Sequence, residues 1–73
     1  MPLEAVKSPD QLLDLYYHDM RSHLLEVAAA FDRIEKAGPC DDVRLERLRR
    51  IAAIAVDARP ERAKRLLDEL SVP

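Results

Sequence analysis

Apolar residues recur along this chain at the spacing of a helix and nowhere with the strict alternation of a half-buried strand. The longest periodic stretch runs from Ser8 to Ala37. At about 100° per residue, Leu13, Tyr16, Met20, Val27, Phe31 and Ile34 gather on one face, with Tyr17, Leu24 and Ala28 at its edge. Asp14, His18, Ser22, Arg33 and Lys36 look the other way. Ser8-Pro9-Asp10-Gln11 reads as a capping box with proline at the first helical position, and Gly38-Pro39 supplies a C′ glycine followed by a residue that cannot continue the helix. Such a helix would be roughly 40 Å long, more than a compact chain of this size covers by itself. Ala28-Ala29-Ala30 lies along it, and small residues let a second helix come close, toward the lower end of the usual 8–10 Å separation.

A second helix is expected from Asp42 to Asp57, with Asp41 as its N-cap and Asp42 adding negative charge at the positive end of the dipole. Its first half is amphipathic around Leu45 and Leu48. Its second half, Ile51-Ala52-Ala53-Ile54-Ala55-Val56, is apolar on every side, the mark of a buried helix. Asp57-Ala58-Arg59-Pro60 is the next break, because the residue before a proline is pushed out of the helical region and Pro60 suits a first helical position. The third helix then runs from about 60 to 70, where Ala63, Leu66, Leu67 and Leu70 form a narrow stripe suited to packing on one side. Residues 1–7 carry no pattern and read as a loose arm, and Ser71-Val72-Pro73 as a short tail. The pattern predicts an all-α fold with one helical domain over 8–73. It is a small bundle in which a long N-terminal helix packs against a shorter helical hairpin, whose short connection favours antiparallel neighbours.

Size bears on this picture. Seventy-three residues make one domain near the limit at which a single core gives only a few kcal/mol without disulfides, metal or oligomerisation. Together with the long helix and the apolar run, this predicts a homo-oligomer, with a symmetric dimer as the favoured form. The residues expected at a helix-pairing or partner interface are Tyr16, Met20, Leu24, Val27 and Phe31, with Ile51 and Ile54 in a shared core. Tyr16, Val27 and Phe31 are also the members of that set best suited to a core within one subunit.

Charge and chemistry add limits. A net charge of −2 exerts no global pull on nucleic acid or anionic membrane. Locally, between Arg44 and Arg65, eight basic residues stand against three acidic ones, an excess of +5, while the first helix has six acidic and three basic side chains. The basic stretch, with Arg44, Arg47, Arg50, Arg59, Arg62 and Arg65 as its candidate contacts, is the alternative reading, a surface for nucleic acid or an acidic partner. A helix-turn-helix is only outlined, because the break lacks glycine, the third helix ends in Asp68-Glu69, and the arginines do not form one phosphate track. The preferred reading is that these arginines pair with the acidic flank of the first helix, which argues against nucleic acid as a partner.

Asp19, His23 and Glu26, at i, i+4 and i+7, are the one set that could begin a metal site. No other helix offers an inward His or Glu to close it, so an ordinary Asp19–His23 pair with a solvated Glu26 is the expectation, and metal-dependent assembly stands third. No cofactor is expected. His18 and His23 lack a nucleophile or second acid within reach, and Tyr16 and Tyr17 diverge by about 100°, so an enzyme is not expected either. Cys40, the only cysteine, precedes a helix start that could lower its pKa, but Asp41 and Asp42 oppose a thiolate. An unpaired cysteine fits a reducing compartment. With neither a basic, apolar leader in the first seven residues nor a run of 18 apolar ones, a soluble, cytoplasmic protein is expected.

Overall fold

The structure is a computed structural model that describes residues 7–72. All of the expected arm except Lys7, and the last residue of the tail, lie outside the described residues. Three helices follow in order, α1 (Pro9–Ala37), α2 (Val43–Val56) and α3 (Arg62–Leu70), and the described residues contain no strand. The chain divides between Gly38 and Pro39 into two units, α1 in the first and the α2–α3 pair in the second.

In the first unit, α1 starts where its capping box closes. The Ser8 hydroxyl accepts the Gln11 N–H at 3.1 Å, and the Gln11 side-chain carbonyl accepts the Ser8 N–H at 2.8 Å. Two donors that a helix start leaves orphaned are thus satisfied reciprocally, with Pro9 in a place where no N–H is needed. The other end stops at Gly38, whose N–H donates to the Glu35 carbonyl at 3.3 Å and whose φ of 130° is open to glycine but not to a side-chain-bearing residue.

The second unit is an antiparallel hairpin. Arg47 and Arg50, early in α2, reach Glu69 at the end of α3, while Asp57, just after α2, holds Arg65 in the first turn of α3. The N-cap of α2 is Asp42, one residue later than Asp41. Its carboxylate accepts the Arg44 N–H at 2.9 Å and also takes the Arg44 guanidinium at 2.9 and 3.1 Å, a double engagement that fixes where the helix begins.

The start of α3 is also displaced from the expected Pro60, to Arg62. Glu61 precedes it in the left-handed region, at φ 58° and ψ 43°, and caps nothing with its side chain. A non-glycine residue there stores about 1–3 kcal/mol of strain unless its surroundings hold it. Here Arg65 does the holding. Its guanidinium takes the Arg59 and Pro60 carbonyls at 3.1 and 3.0 Å as well as the Asp57 carboxylate, so those carbonyls are committed to a side chain and the turn stays unwound through Pro60.

No described residue is fully buried. The nearest thing to a core lies in the hairpin, where Leu45, Ile51, Ala52 and Ile54 of α2 and Leu66 of α3 are half-buried. The expectation that Ile51–Val56 is covered on all sides holds for Ile51, Ala52 and Ile54 only. Ala53, Ala55 and Val56 are exposed, because a single neighbouring helix shields one side. The α3 stripe splits likewise, with Leu66 half-buried and Leu67 62% exposed.

Candidate interaction surfaces

Along α1 the apolar side chains stand in the open. Leu13, Tyr16, Tyr17, Met20, Leu24 and Val27 are each about half exposed, between 47% and 56%, over four turns on one side of the helix. Tyr16 and Val27, expected among the better candidates for a core within the subunit, are therefore exposed, and of that trio Phe31 alone is half-buried. Burying such a side chain yields about 1.5–3 kcal/mol when complete, so a face of this length carries a large unrealised contribution. Ala28 and Ala30 flank it as exposed small residues, and Ala29 is half-buried.

The polar flank of α1 shows no assembled chemistry. Asp19, His23 and Glu26 are exposed, and the expected Asp19–His23 ion pair does not form. Among the described residues no group of three or more His, Cys, Asp or Glu side chains is placed to hold a metal ion. His18 packs edge-on against Tyr17, ring centroids 5.5 Å apart. Cys40 is exposed and unpaired. A shallow surface hollow beside the start of α1 is lined by Lys7, Gln11, Asp14 and Leu15.

The arginines of the hairpin are largely engaged by acceptors within the hairpin itself. Arg44 pairs with Asp42, Arg50 with Glu69, Arg62 and Arg65 with Asp57, and Lys64 with Asp68. Arg47 donates through Nη2 to the Glu69 carbonyl at 3.1 Å, which also accepts the Val72 N–H, and to the Val72 carbonyl just beyond α3. Its Nε is shielded from solvent with no hydrogen-bond partner. Of the six arginines proposed for an anionic partner, Arg59 alone has neither an acidic side chain nor a backbone carbonyl in the grip of its guanidinium.

Asp57 is the hub of this arrangement. Arg65 binds it bidentately at 2.8 and 2.9 Å, and the Arg59 N–H adds a third bond at 3.0 Å. The side-chain bonds from Arg65 are the main reason its pKa falls from 3.8 to about 2. Arg44 has the same effect on Asp42, also lowered to about 2. Because both folded-state values are depressed, their contribution is present above the unfolded value near 3.8 and disappears as pH falls through about 2. The hairpin should therefore lose thermal stability between about pH 4 and pH 2, and the Asp57→Asn variant should start lower at neutral pH and change less across that window. Circular dichroism melts of both proteins check this. Equal slopes would remove Asp57 as the acid-labile clasp.

The sequence signal for Asp57–Arg65 is slight, an Asp and an Arg eight residues apart across a Pro break, and the break was legible where the clasp was not. Comparison of the chain with protein-family models, with curated proteins and with solved structures finds no match.

Proposed function

We propose that this chain is a small, non-enzymatic helical interaction module that self-associates through α1, with a helical protein partner as the other occupant the same face would accept. One observation carries the reading: six large apolar side chains from Leu13 to Val27 remain about half exposed on one side of a 29-residue helix. A contiguous apolar face of this extent is the usual mark of an interaction site. The size of the chain supports it too, since below about 40 residues a unit usually needs outside help, and the hairpin unit spans Pro39–Pro73. Ile51 and Ile54, also expected at a shared core, are half-buried within the hairpin, so the proposed interface rests chiefly on Tyr16, Met20, Leu24, Val27 and Phe31.

The reading extends to a reducing, cytoplasmic setting, supported by a lone unpaired cysteine. Among the described residues no helix is long and apolar enough to cross a membrane. The nucleic-acid reading is less favoured, because five of the six arginines that would form that surface, all but Arg59, already bind acceptors of the hairpin.

Mass action supplies the test. If α1 is stabilised by a second copy, its melting temperature rises with protein concentration, by several degrees over a roughly hundredfold range. A melt independent of concentration would contradict self-association.

A further inference from the structure

The exposed face of α1 contains a second regularity, finer than amphipathicity. Leu13, Tyr17, Met20, Leu24, Val27, Phe31 and Ile34 are spaced by alternating steps of four and three without interruption. That is a heptad seam over three repeats, with Tyr17, Leu24 and Phe31 at a positions and Leu13, Met20, Val27 and Ile34 at d. Leu12, Leu15 and Leu25, although apolar and exposed, fall outside it. The seam demands a partner helix with the same repeat, and α1 itself has one.

We infer that α1 pairs with α1 of a second copy as an antiparallel coiled coil, in the register that sets Leu24 against the partner's Val27. This deepens the reading above and rests on it. In that register Phe31 meets the partner's Met20 and Tyr17 meets the partner's Ile34, so each aromatic faces an aliphatic chain and the layers have even volumes. A parallel pair would stack Tyr17 on Tyr17 and Phe31 on Phe31 in narrow a layers. It would also have its β-branched residues, Val27 and Ile34, at d, the reverse of what two-stranded parallel coils prefer. The flanks are mixed. On the g side His23 lies opposite the partner's Ala30 and Tyr16 opposite the partner's Ala37, and on the e side Arg21 lies opposite the partner's Ala28, a large residue against a small one, while Asp14 lies opposite the partner's Glu35 toward the ends of the pair, where solvent screens the two carboxylates. Antiparallel helix dipoles also attract.

Five of the seven seam side chains, Leu13, Tyr17, Met20, Leu24 and Val27, are 47% to 56% exposed in the single chain and Ile34 is 36% exposed, so pairing two seams removes apolar surface from water on both copies at once. The two-fold axis makes the contact self-complementary and closed.

Spin labels at Ser22→Cys and Lys36→Cys, each in a Cys40→Ser background, read the orientation from outside the seam, since both positions lie opposite it. Residue 36 sits across from residue 15 of the partner, an axial offset of about 30 Å, and residue 22 across from residue 29, an offset of about 10 Å. Pulsed electron spin resonance should therefore give a long label-to-label distance at position 36 and a short one at position 22. Equal, short distances at both would overturn the antiparallel arrangement and leave self-association standing. A Ser22 distance longer than that at Lys36 would overturn the register. Absence of dipolar coupling at both positions, with the labelled proteins monomeric by sedimentation, would overturn this inference and the proposed function together.

Discussion

Leu24→Asp is expected to leave the protein monomeric at concentrations where the proposed dimer of the unaltered chain forms. Leu24 is the central member of the heptad seam of α1 and is 54% exposed in the single chain, so the substitution costs that chain little. In the pair it drives two carboxylates into the seam, each opposite the partner's Val27 and neither with a cation to meet it. Burying one such unpaired charge costs several kcal/mol, and the two-fold axis repeats the cost, so the dissociation constant should rise by more than about a thousandfold. Leu25→Asp is the matching control. Leu25 is more exposed, at 65%, yet it lies off the seam, and its replacement should leave the dimer intact. Sedimentation equilibrium of the two variants separates the seam from general hydrophobicity, because equal weakening by both would mean that apolar area alone governs association.

The second large effect belongs to the hairpin. Leu66 is the half-buried leucine of α3, a helix of only nine residues that is too short to persist by itself. Leu66→Asp removes its apolar contact with α2 and desolvates a charge in its place, a loss of about 2–4 kcal/mol. A two-helix unit has little more than that to lose. Far-ultraviolet circular dichroism should show the helical signal of α2 and α3 largely gone, while the protein still dimerises through α1. Loss of dimerisation in this variant would mean that the hairpin contributes to the interface. Retention of full helicity would mean that the hairpin is held by its ion pairs rather than by Leu66.

The limits of α1 and the number and order of the helices were legible in the sequence because they are set by local chemistry. Ser8 and Gln11 cap each other within one turn, and Gly38 ends the helix through a backbone angle open to glycine alone. The starts of α2 and α3 were less legible because arginines decide them. Arg44 selects Asp42 over Asp41, and Arg65 gathers Asp57 and two carbonyls into a turn that delays α3 to Arg62. The same long side chains carry most of the excess of basic residues between Arg44 and Arg65 into ion pairs and carbonyl contacts. Counting charges shows the excess but not which carboxylates and carbonyls absorb it, since that depends on how α2 and α3 meet.

The apolar side of α1 was legible as a face at helical spacing, and its exposure is what the structure adds. A period of 100° per residue puts Tyr16 on that face and Tyr17 and Leu24 at its edge. A heptad moves Tyr17 and Leu24 into the seam and Tyr16 to its flank, because a supercoiled pair selects 3.5 residues per turn. The two descriptions differ only once a partner is considered, which is why a helical wheel of one chain does not distinguish them.

Native mass spectrometry of the untagged protein over a range of concentrations, with and without a chelator, tests self-association most directly. A dimer that grows with concentration and is indifferent to the chelator is predicted, with Leu24→Asp remaining monomeric under the same conditions. A wild-type protein that stays monomeric throughout would contradict it, and the apolar face of α1 would then belong to a different partner.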